Sequence, residues 1–252
     1  MIEEGLSHSC GKELDQIYNM DCIEGMRSLD PASIDCILTD PPFAVPASHY
    51  QSRAKSRWKN KYADFSILEF FWDAVLKEMV RVLKPTGHLF VFCNGESYPV
   101  FYVPIFEMFA HAHSLVWDKG RPGFGRGFRR QHELIIWGRN EGSYLADDGK
   151  AKGDVLKYSP ISQAVREHPV EKPEALMIDL LTTTTPKGGV VLDPFCGSGT
   201  ALTAPKKLNM HFIGFDLDAD YCETTKKRVL AAKETTGLLA FGVTDLTEGD
   251  SP

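Results

Sequence analysis

The run Ile34-Asp35-Cys36-Ile37-Leu38-Thr39 passes directly into Asp40-Pro41-Pro42-Phe43. The first six residues read as a buried strand. The two prolines lack an N–H and fix φ, so they end that strand and stiffen the turn after it. A rigid turn of this kind presents a carboxylate, backbone carbonyls and a flat apolar ring to one small space. That set suits a planar group carrying an amine, with acceptors for the N–H protons and a ring for the π face. The same tetrapeptide would also serve as a plain strand stop with a solvated Asp. Taken alone, these residues leave both readings open.

Strands and helices alternate along the rest of the chain. Leu14–Asn19 reads as a short strand, followed by a short helix through Met26. Apolar positions from Leu68 to Leu83 recur at helical spacing, and Lys84-Pro85-Thr86-Gly87 stops that helix. His88–Cys93 is a buried strand, and a helix over about 98–109 is limited by Pro99 and Pro104. Ser114–Trp117 and Glu133–Trp137 are two strands flanking a Gly/Arg loop. A helix follows from Pro173, then strands at Val190–Leu192 and Phe212–Phe215, and a final helix from about Tyr221. This order predicts a doubly wound α/β domain. The domain is placed at 14–230, with a mobile loop at 44–63, a polar segment at 138–167, and flexible tails at 1–13 and 237–252.

Composition bounds the partners. No apolar run approaches the length needed to span a bilayer, and the acidic N-terminus has no signal-peptide pattern, so a cytoplasmic location is expected. The six cysteines stand singly, without a C-x-x-C pair for zinc, and read as reduced buried thiols. No metal is expected. The net charge of −6 gives no global attraction to a polyanion. Two local stretches do. One is Arg53, Lys55, Arg57, Lys59 and Lys61 around Trp58. The other holds Arg121, Arg126, Arg129 and Arg130 with Phe124 and Phe128. Basic residues interleaved with aromatics suit phosphate contacts and base stacking. Either stretch alone would equally be a solvated loop.

A second motif follows the strand Val190–Leu192: Asp193-Pro194-Phe195-Cys196-Gly197-Ser198-Gly199-Thr200. Glycines let a backbone approach a ligand closely, and the helix start beyond them favours a negative group. The next strand ends in Asp216, 19 residues after Gly197, close to the spacing at which an acid meets ribose hydroxyls. The loop lacks the lysine of a Walker phosphate loop and the third glycine of the dinucleotide fingerprint. Asp193 would repel a pyrophosphate but suit a ligand with an amino group or a sulfonium. An adenosine-type ligand and a merely structural turn are the two readings.

Three motifs in order, Asp40-Pro41-Pro42-Phe43, then His168-Pro169-Val170-Glu171-Lys172-Pro173, then the glycine loop, resemble the beta subgroup of amino-DNA methyltransferases. Leu83–His88, Val116–Lys119 and Arg129–Glu133 match spacer segments common in that family. The resemblance runs from about Asp15 to Arg228. It implies a mostly parallel, seven-stranded Rossmann-like sheet of the S-adenosylmethionine-dependent methyltransferase fold, in circularly permuted motif order. The expected strand order is 3-2-1-4-5-7-6, with the chain beginning at strand 3, Val190–Leu192 as strand 1 and Ile34–Thr39 as strand 4. The glycine loop and the proline turn would then face each other where the strand order reverses.

The resemblance also implies roles. Asp40 and the Pro41 carbonyl would accept the two N–H bonds of an exocyclic amine, Pro42 would stiffen the turn and Phe43 would stack on the base. The base would flip out of duplex DNA and take the methyl group by direct transfer from S-adenosylmethionine. Asp216, with Leu217 beside it, would hold the ribose. Asp193, Phe195, Gly197, Ser198, Gly199 and Thr200 would surround the methionine part. Asp21 and Cys22 would meet the adenine, and His168 and Lys172 would fold over the methionine end. An Asp at the first motif position favours adenine N6 in that family, where Ser favours cytosine N4, so adenine is expected. Cytosine C5 chemistry would need a Pro-Cys pair, which is absent.

Two positions depart from the family pattern: Phe43 stands where Tyr is commoner, and Pro205 interrupts the helix after the loop. The segment at 138–167, where the subgroup carries its recognition region, is short, so a short recognition sequence or low selectivity is expected. RNA or protein-amide methylation, an inactive DNA-binding subunit and an NAD-binding domain are the rival readings. A homodimer and a restriction endonuclease partner are left open.

Overall fold

The computed structural model describes residues 11–42, 65–123, 126–146, 151–161 and 172–232. The loop expected at 44–63, the tail at 237–252 and most of the N-terminal tail lie outside them, as does part of the segment at 138–167.

Among the described residues, eight strands form one sheet. They are β1 (Gln16–Asn19), β2 (Ile34–Thr39), β3 (Leu83–Cys93), β4 (His111–Asp118), β5 (His132–Arg139), β6 (Val155–Lys157), β7 (Val190–Asp193) and β8 (His211–Asp216). Their order is β1-β8-β7-β2-β3-β5-β4-β6. The first five in this order run parallel, β5 is antiparallel to β3 and β4, and β6 is parallel to β4. The expected order is therefore present, with one correction: an eighth strand, β6, lies outside β4. Its three residues have no run of buried side chains, so they carry no strand pattern of their own.

Both faces are apolar because every β2 side chain is buried. Ile34 and Ile37 face one layer, where α1 (Cys22–Arg27), α2 (Phe65–Val82) and α3 (Tyr98–Met108) supply Met26, Trp72 and Phe101. Cys36 and Leu38 face the other, against Leu176 and Leu180 of α4 (Glu174–Thr184) and Ala201 and Ala204 of α5 (Thr200–Lys207). The last helix, α6 (Ala219–Ala231), packs Cys222 and Val229 on Ile17 and Phe212. Trp72 is the largest fully buried side chain among the described residues, and its ring centroid lies 4.4 Å from that of Phe101. Burying such a side chain contributes about 3 kcal/mol.

Two proline expectations met different outcomes. Pro104 sits inside α3 without ending it, whereas α5, which holds Pro205, is only eight residues long. Lys84-Pro85-Thr86-Gly87 ends α2 as expected. It then forms an irregular stretch of β3: Ile34 pairs with Leu83 and Cys36 with His88, so five β3 residues span two of β2.

Asp35 ties three strands at the edge opposite their carboxyl ends. Its carboxylate accepts from Lys84 Nζ at 2.8 Å and from the Val190 N–H at 2.9 Å. An Asp35→Ala substitution strands that ammonium and that amide, and should lower the unfolding free energy by about 3 kcal/mol in urea titrations.

Candidate active site

Parallel pairing puts the carboxyl ends of β1, β8, β7, β2 and β3 on one edge. From β7 the chain passes through α5 on one face to β8, and from β2 through α2 on the other face to β3. The crevice opens where these two directions diverge. Asp40 leaves β2 on one side of it, and Asp193 with the glycine loop leaves β7 on the other. Thr39 Oγ1 donates to Asp193 Oδ1 at 2.7 Å across the gap.

The loop after β7 is shaped by its two glycines. Gly197 and Gly199 have φ of 45° and 83°, a region that L side chains rarely adopt. A Cβ on Gly199 would lie 2.4 Å from Thr225 Cγ2, whereas one on Gly197 would meet only Phe195 O at 3.8 Å. The backbone thus packs on α6 at one glycine and faces open space at the other. Thr225 Oγ1 donates to Gly197 O and Arg228 Nη1 to Ser198 O, both at 2.7 Å. Asp216 holds the loop from the next strand: one carboxylate oxygen accepts from Gly197 N–H at 2.9 Å, the other from Asp218 N–H at 2.8 Å. Burial pushes its pKa up. Thr200 Oγ1 is buried and has no partner among the described residues. An open cradle with an unmet buried hydroxyl suits a polar ligand laid over the loop.

Asp193 is buried and carries an unusual proton affinity. Its Oδ1 accepts from Thr39 and, at 3.1 Å, from the Phe195 N–H. Burial raises its pKa to about 7; those two hydrogen bonds oppose the rise, and the charges of Asp40 and Asp216 add to it.

Asp40 belongs to a chain of alternating charges. Lys172 Nζ donates to Asp40 Oδ2 at 2.8 Å and lies 3.0 Å from Glu133 Oε2, while Glu133 Oε1 accepts from Lys119 Nζ at 2.5 Å. Lys172 is buried over the Phe92 ring. Burial alone would lower its pKa, but Asp40 and Glu133 outweigh it and hold the ammonium charged. Burial pushes Glu133 up, yet Lys172 and Lys119 reverse that and leave it lowered.

A basic hairpin tip stands beyond this chain, between β4 and β5. Its neck is closed by Lys119 N–H to Gln131 O at 2.9 Å and Gln131 Nε2 to Asp118 Oδ1 at 3.0 Å. Arg121, Arg126, Phe128 and Arg129 are exposed on it, and Phe128 packs on nothing.

Comparison with known proteins identifies the family. A model of the N6/N4 methyltransferases, described as DNA methylase, matches residues 34–227. The chain belongs to this family of DNA methylases. It is 28% identical over 249 residues to the type II methyltransferase M2.DpnII of Streptococcus pneumoniae, covering 87% of this chain and 91% of that one. It is 26% identical over 250 residues to M.HinfI of Haemophilus influenzae, covering 87% and 69%. The crystal structure of an M1.HpyAVI–SAM complex superposes with a TM-score of 0.63 at 26% identity, covering 85% of this chain and 98% of that one. A cytosine-N4-specific PvuII methyltransferase shares the fold, with a TM-score of 0.65 at 17% identity over 86% and 93%.

The methylase brings together most of the residues singled out from sequence. The Asp40 turn and the glycine loop leave neighbouring strands, β2 and β7, at the same sheet edge, and the charge of Asp40 acts on Asp193. Asp216 ends β8 and Asp21 follows the neighbouring strand β1 by two residues, the strands being paired through Asn19 and Asp216; Leu217 is half-exposed beside Asp216. Phe43, His168, Arg53, Lys55, Arg57, Lys59 and Lys61 lie outside the described residues. Four of these residues have partners or surroundings that sequence reasoning did not assign them. Lys172, expected over the methionine end, pairs with Asp40. Asp21 caps α1, accepting from the Ile23 and Glu24 N–H groups at 2.9 and 3.2 Å. The Cys22 thiol is buried in the core, which pushes its pKa up to about 12. Arg130 is engaged by Glu96. Sequence reasoning missed Glu133, Thr225 and Arg228. Asp21 with Glu24 three residues on did carry a legible capping signal; the partners of Glu133, Thr225 and Arg228 are far apart in the chain and left none.

Gly199→Ala forces a Cβ into Thr225 at a left-handed φ and should cost about 2–3 kcal/mol in denaturant unfolding. For Asp193, the folded pKa lies above the ordinary 3.8, so its contribution to stability is whole below about pH 4 and declines as pH rises to about 7. The slope reaches about 1.4 kcal/mol per pH unit. Asp193→Asn keeps the acceptor oxygen and should remove that part of the decline when both proteins are unfolded in urea from pH 4.5 to 7.5.

Proposed function

We propose that this protein moves a methyl group from S-adenosylmethionine to the exocyclic N6 amine of adenine in duplex DNA. The observation that carries this reading is the pairing of the Asp40 turn with the glycine loop across one crevice, joined by the Thr39–Asp193 hydrogen bond. The cofactor supplies an electrophilic methyl group on a sulfonium. Gly197 to Thr200 and Phe195 would hold its methionine part, Asp216 its ribose, and the end of β1 at Asp21 its adenine. The open face at Gly197 and the unmet Thr200 hydroxyl fit such a ligand. Asp216 can do so while fixing the loop, because each carboxylate oxygen has a second lone pair.

An exocyclic amine is a poor nucleophile because its lone pair is delocalised into the ring. Asp40 and the Pro41 carbonyl would accept its N–H protons and favour a tetrahedral nitrogen, with Phe43 on the face of the flipped base. Geometry would supply most of the acceleration, and no covalent intermediate forms. Arg121, Arg126 and Arg129 suit phosphate contacts, with Phe128 placed among them for stacking. Arg130 would contribute only after releasing Glu96.

The choice of adenine rests on Asp40 as the first motif residue. The order of the motifs, Asp40 turn before glycine loop, supports a circularly permuted arrangement. The relatives named as type II methyltransferases support a role as the modification half of a restriction–modification system in the cytoplasm. No helix among the described residues is long and apolar enough to cross a membrane.

Labelled S-adenosylmethionine and unmethylated duplex DNA, followed by digestion to nucleosides, test the reading. N6-methyladenine is expected. N4-methylcytosine would reassign the base, and label in RNA or protein would reassign the substrate. Asp40→Ala should reduce transfer by at least about 10³-fold while cofactor binding by calorimetry stays within about threefold.

A further inference from the structure

We propose that Glu133 is a positioning residue for methyl transfer, holding Lys172 in place so that Asp40 keeps its acceptor strength and direction, and linking Asp40 to the neck of the basic hairpin. The inference rests on the reading of Asp40 as the amine acceptor and names a residue which that reading does not use.

The geometry is a run of four charges of alternating sign from four separate segments. Asp40 follows β2, Lys172 precedes α4, Glu133 is the second residue of β5, and Lys119 is the first residue beyond β4. Lys172 is the pivot. Its side chain is 6% exposed, and its ammonium lies 2.8 Å from Asp40 and 3.0 Å from Glu133. A lysine stem is long and rotatable, so an ammonium with a single carboxylate partner has many ways to reach it. Two carboxylates on different elements define one position for Nζ.

The second carboxylate also divides the charge. An ammonium devoted to Asp40 alone would draw more negative charge from the carboxylate that must accept an amine N–H, although lone pairs remain on both oxygens. With Glu133 taking a share, Asp40 keeps electron density for the substrate. Glu133 itself is balanced by Lys119, whose ammonium lies 4.8 Å from the Trp117 ring centroid. Trp117 pairs with Glu133 across the hairpin, and Lys119 closes its neck onto Gln131. A shift of the arginine-bearing tip on meeting DNA would reach Asp40 through Lys119, Glu133 and Lys172, without either motif touching the other.

Glu133→Gln tests this because it keeps size, removes the charge and turns one of the two acceptor oxygens into a donor. Three readouts on the full-length protein are compared. Single-turnover transfer to duplex DNA should fall at least about 10-fold, while the S-adenosylmethionine Kd changes less than about twofold. Acylation of the Lys172 amine, mapped by mass spectrometry, should rise several-fold as the side chain loses one anchor. In a Lys172→Met background, Glu133→Gln should change transfer by less than about twofold, since the route through Lys172 is already cut. Wild-type transfer by Glu133→Gln, unchanged Lys172 labelling, or full additivity with Lys172→Met would each overturn the proposal. A wild-type protein that does not methylate DNA overturns the reading of Asp40 itself, whereas a methylating wild type with an unimpaired Glu133→Gln overturns Glu133 alone.

Discussion

The rest of the site depends on the short parallel contact between β7 and β2. Only Cys36 with Val191 and Ile37 with Leu192 are in ladder register there. The Thr39–Asp193 hydrogen bond prolongs that contact into the loops. It joins residues 154 apart in sequence, and so fixes how far the Asp40 turn stands from the glycine loop. The strands flanking the pair lead away in opposite directions, which opens the crevice. The cost of this placement is a carboxylate buried between two others, visible in the raised pKa of Asp193.

Charge is managed differently on the two sides of that crevice. On the glycine-loop side, buried Asp193 and half-buried Asp216 are bonded to backbone amides and a hydroxyl. Such a site favours a ligand that brings positive charge, in keeping with a sulfonium and an ammonium. On the Asp40 side, Lys172, Glu133 and Lys119 join Asp40 and the four charges sum to zero. A neutral group would meet no net charge there. α6 completes the arrangement from behind, where Thr225 and Arg228 turn the carbonyls of Gly197 and Ser198 away from the open face.

Much of this was legible in the chain. β2, β3, β7 and β8 carry continuous apolar runs, because parallel strands are covered on both faces, and α2 carries an unbroken helical stripe. The Pro-Pro turn and the glycine loop are visible because their chemistry is local. β6 was missed because three residues pairing at an edge have no periodicity to read. Lys84–Gly87 read as the stop of α2 and also forms a bulged stretch of β3, which its Pro and Gly did not signal. Lys172 was placed over the methionine end by resemblance, with no sign of its pairing with Asp40. Its partner Asp40 lies 132 residues away, and no spacing rule links an ammonium to a carboxylate at that distance.

The sequence by itself determined the alternation of strands and helices, the proline turn and the glycine loop and the order in which they occur, because each rests on φ restriction, missing donors or apolar periodicity within a few residues. It also carried the family signature, confirmed by comparison over residues 34–227. Only the tertiary structure decided which charges meet: Lys172 on Asp40 and Glu133, Asp21 on its own helix, Arg130 on Glu96. Ion pairs among buried or half-buried groups depend on which strand ends the sheet order brings together, and that order is set by long-range pairing rather than by any segment's own composition.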